Sequence, residues 1–151
     1  MDLTTPLLNG FWSGLLAAAL AVAFTAPRAA LAVALVAGFA GSFGRDVLTL
    51  AGVSLPVGSF LAALLVTLIA IVLTRNRAAT PAVAISGVVP LIPGTFVFAA
   101  IQSSLAVFAS DPTAAAAASA AFTTNVLKAL VVLAAMVLGM SIPALWRPDR
   151  Y

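Results

Sequence analysis

A chain with no histidine, no cysteine and only four carboxylates has little with which to do covalent or acid–base chemistry. Disulfides, thiolate nucleophiles and the usual zinc sites are excluded outright. The four carboxylates, Asp2, Asp46, Asp111 and Asp149, all fall at or near the ends of apolar segments, and no two form the pair that acid–base catalysis requires. The expectation is therefore a protein that is not an enzyme and carries neither metal nor cofactor. What stands out instead is a set of polar and helix-breaking residues set in apolar sequence. The stretch "SGVVPLIPGTFVFAAIQ", Ser86 to Gln102, holds Pro90, Pro93, Gly94, Thr95 and Gln102, and a later apolar segment holds Asn125 and Lys128. Arg45 and Asp46 are secondary candidates further upstream.

Pro90 and Pro93 each lack a backbone donor and clash with the carbonyl four residues back. Gly94 adds freedom to leave helical dihedrals. PLIPG should therefore unwind about one turn and leave two half-helices. Carbonyls freed in this way cannot face lipid, where each unsatisfied group costs several kcal/mol, so they must face protein or a watery cavity. The half-helix after Gly94 would aim its positive end at that spot, with the Thr95 hydroxyl close by, an arrangement suited to an anionic group. The alternative is a plain proline kink absorbed by neighbouring helices. Asn125 and Lys128 stand three apart and share a helix face. Asn125 either contacts a substrate or hydrogen-bonds a neighbouring helix, and Lys128 either meets an anion or snorkels to the interface. Arg45 and Asp46, as sequence neighbours, are not expected to face each other, and an interface anchor is the simpler role for both.

The elements that must position these residues follow from composition. Of 151 residues, 64% are hydrophobic and 7% charged, with a mean hydropathy of +1.22. Soluble domains are nearer half apolar and a quarter charged, so the chain is read as an all-α integral membrane protein. "MDLTTP" lacks the basic start of a secretory signal, and the first apolar segment is kept as mature structure. Clear apolar spans run over 7–25, 57–74, 83–108 and 120–142, with a weaker one over 29–43. Pro6, Pro27, Pro56, Pro81 and Pro112 each precede a segment, as suits the first position of a helix, and Thr5, Thr80 and Asp111 could cap three of them.

Five crossings place Arg28, Arg75, Arg77, Arg147 and Arg150 on one side, leaving Asp2, Asp111 and the Arg45–Asp46 pair on the other. Since lysine and arginine mark the cytoplasmic side, this puts the N-terminus outside and the C-terminus inside. The prediction is a single membrane domain, 1–151, of five transmembrane helices at about 6–25, 27–50, 56–75, 81–108 and 112–143, the fourth broken at PxxPG. Gly10 and Gly14 form a GxxxG, and Gly38, Gly41 and Gly44 recur at every third position. These small residues serve either helix packing within the chain or contact with another subunit.

The segments "VVPLIPGTFVFAAI" and "TTNVLKALVVLAAMVLGMSIPALW", with "GSFGRD" upstream, resemble the threonine/serine exporter family (ThrE type). Length and layout are similar to the family's small split subunit (YjjB type), and the resemblance covers nearly the whole chain. Its most specific parts are PLIPG at Pro90 to Gly94, Asn125, and SIP at Ser141 to Pro143. The resemblance implies proton-driven export of threonine and serine across the bacterial cytoplasmic membrane, or, as in a two-subunit relative, export of the dicarboxylate succinate. It also implies a larger partner subunit bearing the other membrane half with its own PLIPG-like break. Two departures stand out: the spacing from GSFG to Arg45 is shorter than the family pattern, and Lys128 occupies a place expected to hold a small neutral residue. A structural subunit that assembles with a partner without touching substrate is the remaining class.

Overall fold

The computed structural model describes residues 3–74, 77–109 and 111–145. Asp2, Arg75, Arg147, Asp149 and Arg150, which carry part of the expected charge asymmetry, lie outside the described residues, as does the side chain of Arg77. Every regular element among the described residues is helical: α1 (Thr4–Ala23), α2 (Arg28–Leu50), α3 (Leu55–Leu73), α4 (Thr80–Val88), α5 (Gly94–Ala109) and α6 (Pro112–Leu145). Short 3₁₀ turns at Arg77–Ala79 and Val89–Leu91 precede and follow α4. Four helices, α1, α2, α3 and α6, are each long and apolar enough to cross a membrane, and α4 with its turn and α5 qualify only when taken together as one span.

Proline governs where these helices begin, though not always from the expected position. Pro56 and Pro81 do occupy the first turn of their helices. Pro27 instead stands just outside α2 with an extended backbone, and Pro6 lies third in α1, which already starts at Thr4. Two of the three expected caps are corrected for the same reason. Once α1 and α4 start at Thr4 and Thr80, their cap positions fall on Leu3 and Ala79, whose side chains cannot accept a hydrogen bond. Asp111 does cap α6: its Oδ1 accepts from the backbone N–H groups of Thr113 at 3.1 Å and Ala114 at 2.9 Å and from the Thr113 hydroxyl at 2.8 Å. These bonds satisfy donors that the helix itself leaves without acceptors.

The chain divides into two units, Ile92–Ala134 and the remainder, with Leu91 closing the N-terminal part of the first and Ala135 re-entering it. In the first unit α1 and α2 are joined by a tight turn in which Thr25 adopts a left-handed backbone (φ 56°). The Ala26 N–H returns to the Ala21 carbonyl and the Thr25 N–H to that of Val22, closing the helix end. Gly52 (φ 87°) does the same for α2, with Val53 bonded back to Leu48. These are the only left-handed residues among those described, so Gly94 is not one of them. The expectation that Gly94 supplies dihedral freedom is corrected: it opens α5 as an ordinary helical residue.

The interior of the first unit is built from small side chains. Ala17, Ala21, Ala34, Ala37, Ala63, Ala70 and Ser59 are wholly buried, while many leucine and phenylalanine side chains face outward. That inverts the usual pattern of a soluble protein and suits a surface facing lipid. The glycines explain how the helices come so close. A Cβ on Gly14 would stand 2.8 Å from the Leu35 carbonyl oxygen, and one on Gly38 2.8 Å from that of Ser13. Gly41 and Gly87 are pressed against Val66, and Gly139 in α6 lies against the Phe60 carbonyl of α3. Gly10, Gly14, Gly38 and Gly41 are thus used for packing within the chain, and Gly44 is not closely packed.

Candidate functional site

The α-helical ladder stops at Val88 because the next two positions that should donate to it cannot. In a continuous helix Pro90 would donate to Ser86 and Pro93 to Val89, and neither has an N–H. The chain takes a 3₁₀ turn over Val89–Leu91, passes through Ile92 and Pro93, and becomes helical again at Gly94. Gly94 donates to the Ile92 carbonyl at 2.8 Å, and the Pro93 carbonyl receives the N–H groups of Phe96 at 3.1 Å and Val97 at 3.4 Å.

On the first unit's side of this turn, Pro90 is half-buried and Leu91 fully buried. The Leu91 carbonyl accepts a 2.7 Å hydrogen bond from Nη1 of Arg45. A bond from a charged donor contributes roughly 1.5–3 kcal/mol, more than an ordinary amide pair. Arg45 and Asp46, expected not to face each other, do meet: Nε lies 3.6 Å from Oδ1 of Asp46. The arginine stem is long enough to bend back along the helix, which the spacing of adjacent residues does not reveal. Asp46 Oδ2 accepts from the Asn9 side chain at 2.8 Å, and one turn along, Ser13 donates to Ser42 at 2.9 Å. Arg45 and Asp46 are thus mostly buried, with side chains only 17% and 21% exposed.

Within the second unit, Pro93 is buried and Gly94 and Thr95 are exposed at the start of α5. A Cβ on Gly94 would meet nothing within 4 Å among the described residues, so the Gly94 backbone is open to close approach at that point. Gln102 is exposed and Asn125 half-buried, and among the described residues no hydrogen bond joins either to another site residue. Lys128 is exposed, with Nζ 5.8 Å from the ring centre of Phe96, a cation–π contact one residue beyond Thr95. Outside the helices, the Asp111 carboxyl is held below its usual pKa range, chiefly by the Ala114 N–H and then by the Thr113 hydroxyl.

Sequence reasoning missed Asn9, Ser13 and Ser42, and missed that Arg45 serves the PLIPG turn. The first three did leave a signal. Asn9 and Ser13 are one turn apart on α1, and Ser42 and Asp46 one turn apart on α2, on helices joined by a short turn. Antiparallel pairing of Ser13 with Ser42 then places Asn9 opposite Asp46.

With every regular element among the described residues helical and four or five apolar spans among them, the chain belongs to the multi-pass membrane proteins. Its sequence matches the family model described as "Threonine/Serine exporter, ThrE" over residues 9–146, and the chain belongs to that family. The family's role is membrane transport of the threonine/serine exporter type, and the resemblance drawn from PLIPG and Asn125 agrees with that match. No solved structure matches the chain.

Proposed function

We propose that this chain is the small membrane subunit of a proton-driven exporter of threonine and serine in the bacterial cytoplasmic membrane, working with a larger subunit of the same family. In this reading it forms one membrane domain of five crossings, with α4 and α5 as the two halves of the fourth, an external N-terminus and a cytoplasmic C-terminus. The observation that carries the proposal is the interruption between Val88 and Gly94, inside a pair of helices that reaches membrane length only when taken together. The substrate carboxylate docks at the first turn of α5, where the Thr95 N–H has no acceptor among the described residues and the helix dipole is positive. Gly94 supports this role by leaving room for close approach rather than by its dihedrals. Thr95 supplies a hydroxyl there, Gln102 and Asn125 bind the remaining polar groups, and the proton-coupling acid resides on the partner.

Lys128 favours a second reading in which a dicarboxylate such as succinate is exported. A cation beside Phe96 provides a contact for a second carboxylate, which a zwitterionic amino acid lacks. The deciding measurement is efflux of labelled threonine and of labelled succinate from cells expressing this chain with its neighbour-encoded partner. Pro90→Ala, Pro93→Ala and Gly94→Leu are each expected to cut efflux at least about tenfold, some 1.4 kcal/mol of barrier, with the complex still assembling. Loss of assembly without a separate transport defect would instead assign the chain a purely structural role. Asp46→Asn should leave proton coupling in place if the coupling acid lies elsewhere.

A further inference from the structure

We propose that Arg45 is a positioning residue: it holds the PLIPG turn open by gripping the Leu91 carbonyl, and Asp46 and Asn9 hold Arg45 in place. In a continuous helix the Leu91 oxygen would accept the N–H of residue 95. Arg45 Nη1 takes that place at 2.7 Å, so the carbonyl has a partner without the helix closing across the turn. Among the first-turn donors of α5, the Thr95 N–H is thereby left without the acceptor a continuous helix would give it, while Gly94 donates to Ile92 and Phe96 and Val97 to Pro93.

The guanidinium is supported from several directions within the first unit. Its Nε lies 3.6 Å from Asp46 Oδ1 and is buried without a hydrogen-bond partner of its own. Asp46 is fixed by the 2.8 Å bond from Asn9 on α1, which leaves its second oxygen turned to the arginine. On α3, Gly58 flanks the arginine stem: a Cβ there would stand in ordinary van der Waals contact, 3.6 Å from Arg45 Cγ. Three helices thus converge to aim one hydrogen bond at one backbone oxygen. A residue merely anchoring α2 at the lipid interface would turn its guanidinium to water or headgroups.

This role deepens the exporter reading and rests on it for its consequence in transport, but the grip itself can be measured without transport. The chain has no cysteine, so Ile92→Cys gives a single labelling point at a residue 45% exposed. A nitroxide attached there is read by electron paramagnetic resonance in membranes holding this chain with its partner. Arg45→Gln is expected to raise label mobility severalfold. It should also lower threonine efflux at least tenfold through maximal rate, with the half-saturating concentration unchanged within twofold. Arg45→Lys keeps a charged donor and should restore part of both, and Asn9→Leu should shift both in the same direction by less. Unchanged mobility in Arg45→Gln overturns the proposal whatever happens to efflux. So does a loss of efflux that appears only as a raised half-saturating concentration, which would make Arg45 a substrate contact. If the native pair exports neither threonine, serine nor succinate, the exporter reading fails and the mobility result still decides the grip.

Discussion

At the scale of the residue, a single carboxylate shows how local bonding sets pH dependence. The Asp111 carboxyl accepts three hydrogen bonds at the start of α6, and these favour its charged form. A pKa lowered on folding contributes stability above the ordinary Asp value near ~3.9, and that contribution is lost as the pH falls through the lower folded-state value. Asp111→Ala should therefore lower the melting temperature of the purified protein at pH 7. The gap from the native chain should close progressively below pH 4 and vanish once the native carboxyl is protonated. A gap that is constant from pH 7 down to pH 2 would show that the charge plays no part in the cap.

At the scale of the element, the α1–α2 hairpin rests on the absence of side-chain atoms at chosen points. A Cβ on Gly38 would stand 2.5 Å from that of Ala17 and 2.8 Å from the Ser13 carbonyl oxygen, whereas one on Gly44 meets nothing nearer than Leu65 Cδ2 at 3.9 Å. Gly38→Ala should thus force the helices apart at a cost of about 1–3 kcal/mol, as overpacking commonly does. Gly44→Ala should be neutral or slightly stabilising, because alanine loses less backbone freedom in a helix. Thermal melting of the two variants in the same detergent tests the contrast. Equal effects would mean that the hairpin is not packed through Gly38.

At the scale of the whole molecule, the number of crossings fixes the sides on which the termini lie. Four spans return the chain to the side on which it began, and five carry it across, so α4 and α5 decide the matter. Reporters fused to each end, one active only in the cytoplasm and one only outside, are expected to report an external N-terminus and a cytoplasmic C-terminus. Both termini on one side would remove α4 and α5 as a single crossing.

Much of this organisation was legible along the chain. Unbroken apolar runs leave only helices as spanning structures, and prolines at 56 and 81 mark helix starts because the first turn needs no donor there. The stop at Val88 could be expected for the matching reason, that two donors are missing ahead of it. The bond from Arg45 to Leu91 could not, because it joins residues 46 positions apart and depends on how three helices meet. Nor could the start of α1 at Thr4, which deprived Thr5 of its capping position.

The glycine-lined contact of α1 with α2 has a mechanical consequence. Where main chain lies against main chain there are few rotamers to rearrange and no soft filling to redistribute. Any stroke that involves these two helices is therefore expected to carry them together as a rigid pair, with the bending confined to the joints at their ends.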